Sequence, residues 1–245
     1  MLSAIIQART GSSRLPNKIF AEIEGYPLIW HVVNRAKASE FIRNNIIIAT
    51  STNHRDDTLF SWCEKEKLAC FRGDEENVLN RFYCAAKYFN LSEIVRITAD
   101  DPFKDPEIID DVIKLLRSEN LAFAYNNKPP SFPEGLDVEV FTIEALEIAN
   151  REASSNFEKE HVTPYMYLHP EIIRQKNLCY EENLSNLRWT IDQEEDLIMA
   201  REVYRLLFKE KPMFKFKDIL ALLAKYPYIA EINKNVRKSD MYKNL

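Results

Sequence analysis

The stretch Ser3-Ala4-Ile5-Ile6-Gln7, continuing as Ala8-Arg9-Thr10-Gly11-Ser12-Ser13-Arg14-Leu15-Pro16-Asn17-Lys18, decides the fold. A short apolar run with strand character ends at Gln7, and the chain then enters a turn holding one glycine, two serines and three cations. In open α/β sheets, ligands gather at the carboxyl ends of strands. A loop at that position suits a triphosphate when its glycine admits close backbone approach and its Arg9, Arg14 and Lys18 offer charge-assisted hydrogen bonds. The alternative is a solvated basic turn, against which stand its position, Gly11 and the spacing of the cations.

Outward from this loop, short β-branched runs alternate with segments of helical period, the pattern of an α/β fold with a mainly parallel sheet. Strands are expected at Ser3–Gln7, Asn45–Thr50, Leu68–Phe71, Ile94–Ile97 and Ala122–Tyr125. Helices are expected from Pro27 through Ala36, over Arg55–Lys67, Glu76–Phe89 and Pro106–Arg117. The rhythm changes after Asn126, where prolines and asparagines up to Gly135 read as a loop. Asp137–Phe141 alternates with period two, as a half-buried strand with acids on one face does. Further helices are expected at Ile143–Arg151 and Phe157–Leu168, a last strand at Leu187–Ile191, then helices at Glu194–Phe208 and Phe216–Ala224. Residues from Asn233 onward read as loosely attached. The whole reads as a single domain over 1–245, with a smaller excursion at about 126–185.

Composition removes several classes. The chain has 245 residues but only four glycines, Gly11, Gly25, Gly73 and Gly135. Neither G-x-x-x-x-G-K-[ST] nor G-x-G-x-x-G can be built from them. A net charge of −5 argues against duplex nucleic acid as a general partner. The apolar stretches fall short of a membrane span, and the four cysteines form no C-x-x-C pair. A reduced, cytoplasmic protein with structurally buried cysteines is the expectation.

Two further segments carry chemistry. Arg96-Ile97-Thr98-Ala99-Asp100-Asp101-Pro102 follows an expected strand, and Asp100 is placed to supply a carboxylate to Mg²⁺, which takes one or two carboxylates beside substrate phosphates. Asp101 reads equally well as a cap before the Pro106 helix. In Arg188-Trp189-Thr190-Ile191-Asp192-Gln193-Glu194-Glu195-Asp196-Leu197, Asp192 alone reads as an N-cap. Paired with Asp100 across one sheet edge, it becomes a second metal ligand.

These segments resemble the cytidylyltransferases that activate acidic sugars, including CMP-Kdo and CMP-sialic acid synthetases, and more closely the spore-coat polysaccharide biosynthesis protein F family. The resemblance rests on Ile6-Gln7-Ala8-Arg9 with Gly11-Ser12 and Arg14-Leu15-Pro16-x-Lys18; Gly25-x-Pro27-Leu28; Ala49-Thr50-Ser51; Phe71-Arg72-Gly73-Asp74; Val78-Leu79-x-Arg81; and the Asp100 segment. It continues through Gly135-Leu136-Asp137-Val138-Glu139, Glu160-His161-Val162-Thr163-Pro164-Tyr165 and Thr190-Ile191-Asp192-x-x-x-Asp196-Leu197.

The resemblance implies a Rossmann-like nucleotide-diphospho-sugar transferase fold, with a mainly parallel mixed sheet flanked by helices and an excursion that makes a homodimer contact. It implies a CTP-dependent nucleotidyltransferase making an activated sugar for surface glycan. Gln7, Ala8, Arg9, Gly11, Ser12, Arg14 and Lys18 would hold the nucleotide, with Ala49, Thr50, Gly73 and Arg81 bordering base and ribose. Arg9, Lys18 and Asp100 would be catalytic, and Asp100 and Asp192 would coordinate Mg²⁺. Two positions depart from the family pattern: Asn17 stands where glycine is usual, and Asn77 where an acid is common.

The sugar acceptor is less legible. Tyr125, Asn126, Asp137, Glu139, Glu160 and His161 are the polar residues expected on its side, with His161 open to a general-base or a structural role. Arg151, Arg174 and Arg188 are possible partners for an acidic acceptor. Three other readings compete: a GTP-using relative; a glycosyltransferase, which typically carries an Asp-x-Asp motif that Asp100-Asp101-Pro102 does not make; and a silent nucleotide-binding protein.

Overall fold

The computed structural model describes residues 1–12 and 14–236. Its sheet is built from β1 (Leu2–Gln7), β4 (Ile46–Ser51), β5 (Ala69–Gly73), β6 (Glu93–Thr98), β7 (Phe123–Tyr125), β8 (Glu139–Thr142) and β9 (Gln175–Asn177). β2 (Glu22–Ile23) and β3 (Tyr26–Pro27) form a separate hairpin, turned by Glu24 and Gly25 at positive φ. The helices are α1 (Leu28–Lys37), α2 (Asp57–Lys65), α3 (Val78–Tyr88), α4 (Pro106–Ser118), α5 (Ile143–Glu152), α6 (Asn156–His161), α7 (Pro164–Leu168), α8 (Glu194–Leu207), α9 (Phe216–Lys225) and α10 (Tyr228–Glu231).

The order is β5-β4-β1-β6-β8-β7-β9. β1 pairs in parallel with β4 and β6, and β4 with β5; β8 runs antiparallel between β6 and β7. The fold class is therefore the expected mixed, mainly parallel α/β sheet. After β5 the chain crosses back to the far side of β1 to lay down β6. That reversal opens a crevice at the carboxyl ends of β1 and β6, where Gln7 and Thr98 lie side by side in register.

Both sheet faces are covered, which is why β1 reads as a nearly continuous apolar run. Ala4 and Ile6 face the layer holding α1, α2, α4, α8 and α9; Ile5 faces α3, α5 and α7. Among the described residues no helix is long and apolar enough to cross a membrane. The residues of the 126–185 excursion add β8 and β9 to the same sheet, around β7.

Four expectations are corrected. Leu187–Ile191 is not a strand: it contributes one isolated bridge, Glu134 to Arg188, and one backbone bond from Ile191 to the Asp100 carbonyl. Phe157–Leu168 is not one helix. Val162 breaks it at φ 73°, ψ −55°, and the Thr163 N–H bonds back to the His161 carbonyl. This is a γ-turn of the strained hand, which a β-branched residue rarely adopts. Asn233 is held firmly, 3% exposed, its amide donating to the Arg188 carbonyl and to Asp196; the expectation for residues 237–245 lies outside the described residues. Of the cysteines, Cys63 is buried, Cys70 and Cys84 are partly so, and Cys179 is exposed.

Gly135 fixes how closely the excursion approaches the sheet's open edge. It adopts φ +103°, and a Cβ there would lie 2.7 Å from the backbone of both Trp189 and Thr190. Gly135→Ala is expected to cost about 1–3 kcal/mol, at roughly 2–4 °C in melting temperature per kcal/mol for a chain this size. Thermal denaturation of the two proteins checks it.

Candidate active site

The loop after β1 is tied down from beneath by a residue the sequence did not mark. Asp56, 3% exposed, accepts the Thr10 N–H at 2.8 Å, lies 2.8 Å from the Thr10 hydroxyl, and takes the Ser51 hydroxyl at 2.5 Å. Burial alone would raise its pKa, but these donors hold the carboxyl below its ordinary value. Asp56 sits at a helix start, where an acid reads as ordinary dipole complement, so its sequence context hides this role.

Asn17 has φ 56°, the left-handed conformation that glycine supplies in the family pattern, and asparagine is among the residues that tolerate it best. The turn it completes delivers Lys18 into the crevice. The Lys18 ammonium donates to Asp100 Oδ2 at 2.8 Å, to Asp192 Oδ1 at 2.8 Å and to the Ile191 carbonyl at 2.9 Å. Burial would lower the lysine pKa; the two carboxylates outweigh it and hold it above its ordinary value. Burial likewise opposes ionisation of Asp100, and the lysine charge holds that carboxyl well below the usual carboxylate range.

Asp192 does not cap α8. The helix N-cap is Gln193, and the fully buried Asp196 accepts the N–H groups of both Asp192 and Gln193. Asp196 also grips Arg188, whose other N–H groups reach Asp192 Oδ2 at 3.0 Å and Glu134 at 2.8 Å. The Asp192 carboxylate is thus aimed at the crevice by Arg188, Arg14 at 3.1 Å and Lys18. Asp101 is not a cap either: that role falls to Asp105, while Asp101 is buried against Lys104 and the Thr98 hydroxyl.

A cavity of about 320 Å³ lies over this pair, walled by Gln7, Ala8, Arg9, Gly11, Ser12, Arg14, Lys18 and Asp100 together with Glu160, His161 and Asp192. Every residue of the first loop assigned to the nucleotide therefore meets in one place. Arg9 reaches Glu160 at 4.0 Å across its mouth. Burial pushes the His161 pKa down, favouring the neutral imidazole.

The residues expected at base and ribose are placed less uniformly. Ala49 and Thr50 are fully buried in β4, behind the wall. Arg81 is 1% exposed, donates to the Asp74 carbonyl at 2.6 Å, and leaves Nε and one terminal nitrogen without a hydrogen-bond partner. Gly73 makes room for it, since a Cβ would meet the Arg81 Cγ at 3.0 Å. Burial, then the like charge of Arg9, lowers the Arg81 pKa to about 10, so it remains a cation. Asn77 caps α3 through its side chain, accepting the Asn80 N–H as an acid would.

A second, smaller cavity of about 200 Å³ shares Arg14, Thr98, Asp100 and Asp192 with the first and continues past Gly135, Asp137 and Glu139. Glu139 is buried and paired with Arg96; its other oxygen accepts the hydroxyls of Thr163 and Tyr167 at 2.8 Å each. Arg96, given no role from sequence, also reaches Gln7. The residues expected to bind acceptor thus separate: Asp137 and Glu139 line the second cavity, and Glu160 and His161 the first. Tyr125 packs against Phe123 and Tyr167. Asn126 is fully buried, donating to the Leu136 carbonyl and accepting the Val138 N–H, so it shapes the excursion without lining either cavity.

Comparison with known proteins gives the same reading. Residues 3–232 match the cytidylyltransferase family. The chain is similar to an uncharacterised protein of Methanocaldococcus jannaschii, 35% identical over 96% of each chain. It is also similar to the spore coat polysaccharide biosynthesis protein SpsF of Bacillus subtilis, 34% identical over 91% of this chain and 94% of that one. The solved structure of a cytidylyltransferase from Leptospira borgpetersenii superposes with a TM-score of 0.89 at 28% identity, over 97% of this chain and 98% of that one. A cation-rich loop after β1, a lysine shared by two carboxylates at the sheet's switch point, and these matches have one common meaning: the chain belongs to the cytidylyltransferase family and is a nucleotidyltransferase.

Proposed function

We propose that the protein transfers CMP from CTP to a sugar acceptor with release of pyrophosphate, for the synthesis of a surface glycan. The observation that carries this reading is the Lys18 ammonium held between Asp100 and Asp192 beneath the Arg9–Arg14 loop. The larger cavity would take the triphosphate, with Arg9, Arg14, Lys18 and the loop backbone beside Gly11 and Ser12 drawing charge to the phosphate oxygens. In attack on an α-phosphate, charge grows on those oxygens and on the departing pyrophosphate. Fixed cations and positioning therefore supply most of the acceleration.

Asp100 and Asp192 would hold Mg²⁺. The donor set fits: two ionised oxygen ligands converge on one point, as a hard cation bound partly by substrate phosphates requires. When bound, the ion would neutralise phosphate charge and lower the pKa of an attacking hydroxyl. Arg81 lies behind the cavity wall rather than on it, and its unpaired N–H groups are donors of the kind that the O2 and N3 acceptors of cytosine require.

The test is pyrophosphate release across the four nucleoside triphosphates, each paired with nonulosonic acids and with sugar phosphates. Release with CTP and one acceptor class supports the proposal. Faster turnover with GTP would reassign the base, and nucleotide binding without any release would leave a silent binding protein.

A further inference from the structure

The second cavity has an electrostatic character that bears on the acceptor. Its carboxylates are nearly all compensated: Asp101 by Lys104 at 2.8 Å, Glu134 by Arg188 at 2.8 Å, and Glu139 by Arg96. The cations are equally committed, since Arg188 also holds Asp196 and Lys104 also donates to the Asp137 carbonyl. Of the three arginines that sequence offered to an acidic acceptor, Arg188 is locked in this network, Arg151 pairs with Glu152 on the surface, and Arg174 is exposed and lines neither cavity.

Asp137 is the exception. Its carboxylate lines the cavity, accepts no hydrogen bond and makes no ion pair among the described residues. Lowered solvation, then the neighbouring Asp101, Glu139 and Glu134, push it up to about 7 despite Lys104. A carboxylate so placed attracts a donor and repels a second acid. Of the cations still facing the crevice, Arg9 lines only the first cavity, whereas Arg14 borders both, 3.1 Å from Asp192.

We propose that the acceptor's sugar ring occupies the cavity beside Gly135, that Asp137 selects a hydrogen-bond donor there, best a protonated amine, and that the acceptor is therefore an amino sugar phosphate with its anion at the reacting end. This rests on the proposed sugar cytidylyltransferase activity. In the transfer, an oxygen of the acceptor phosphate, already deprotonated, forms the bond to the α-phosphorus of CTP. The bond from that phosphorus to the bridging oxygen breaks, and its electron pair leaves with pyrophosphate, so the step balances without a general base. Arg14 stands where the acceptor phosphate enters, and the ring then lies over Gly135, where any larger side chain would meet the backbone of Trp189 and Thr190.

The experiment compares kcat/KM with CTP for glucosamine 1-phosphate, N-acetylglucosamine 1-phosphate, glucose 1-phosphate, glucuronic acid 1-phosphate and a nonulosonic acid. The free amine should exceed both its acetylated and hydroxyl counterparts by about tenfold or more, from a charge-assisted hydrogen bond. In Asp137→Asn that ratio should fall to within about twofold, the asparagine no longer distinguishing ammonium from hydroxyl. A nonulosonic acid or the glucuronic acid as the best acceptor overturns the inference, as does an amine preference that survives in Asp137→Asn. If no acceptor releases pyrophosphate, the proposed activity fails separately. Calorimetry of the same sugar phosphates on the protein loaded with a non-hydrolysable CTP analogue then decides the inference: tighter binding of the amine supports it, and equal binding overturns it.

Discussion

Asp100→Asn is expected to lower kcat/KM for pyrophosphate release by about 10³-fold or more, the scale on which removal of one preorganised electrostatic group acts. The amide keeps the size of the side chain and one oxygen for Lys18, so the loss reads charge rather than shape. The fold should survive, because Asp100 lies at the open edge of the sheet and Lys18 keeps Asp192 and the Ile191 carbonyl as partners. The melting temperature at pH 7 should stay within about 5 °C of the parent. The pH dependence gives an independent reading. Lys18 depresses the folded-state pKa of Asp100, so the stabilisation this confers is present above the ordinary carboxylate pKa of ~4 and is lost as pH falls below it. The gap in melting temperature between parent and variant should therefore close in acid. Near-normal turnover would remove Asp100 from the chemistry.

Lys18→Met is expected to reduce kcat/KM by about 10²-fold to 10³-fold, and to weaken CTP much more than CMP. The ammonium is the centre of the carboxylate pair and the first-loop cation that bridges Asp100 to Asp192. Its removal has a second consequence, visible without catalysis. With the ammonium in place, the two carboxylates are neutralised and have little call on a divalent ion until phosphates draw the lysine toward themselves. With methionine there, Asp100 loses its cation while Asp192 keeps only Arg14 and Arg188, and the bare carboxylate beside Asp192 is relieved by a cation. Calorimetric titration of Mn²⁺ into nucleotide-free protein should show tighter binding in the variant than in the parent. Equal affinity in the two proteins would mean that lysine and metal do not share these oxygens, and equal losses for CTP and CMP would deny Lys18 a triphosphate role.

The central architecture was readable because each βα unit repeats one physical pattern, a short buried apolar run followed by a 3.6-residue stripe. The phosphate loop was readable for another reason: its unusual residues are contiguous, so one window contains Arg9, Gly11, Arg14 and Lys18. What escaped is what depends on distant partners. Asp56, Arg96 and Asp196 look like ordinary helix-start or strand residues until Thr10, Glu139 and Arg188 are brought to them. Val162 fits the helical stripe of its neighbours, and the Thr163 that follows its γ-turn is bonded to Glu139, a partner distant in sequence. Leu187–Ile191 carries strand-like residues, yet its two backbone bonds to Glu134 make one isolated bridge and a third goes to Asp100, so no ladder forms. The acids of Asp137–Phe141 suggested a polar face, whereas Glu139 is neutralised inside the protein and only Asp137 keeps that character.

Lys18 and Asp192 are separated by 174 residues, and the Asn233 that braces Arg188 and Asp196 comes 41 residues after Asp192. At the usual 5–20 residues per second, the ribosome takes roughly 10–40 s to travel from the first of these positions to the last. The sheet's first four parallel strands are complete long before then, with Arg14 and Lys18 still waiting for Asp192. Synthesis thus passes through a stage in which those strands exist while the centre and the helices α8 and α9 that cover one sheet face do not. A prematurely terminated product ending ahead of Asp192 would lack both that carboxylate and the helices that bury one face of the sheet, so the centre and the core on that face are completed together.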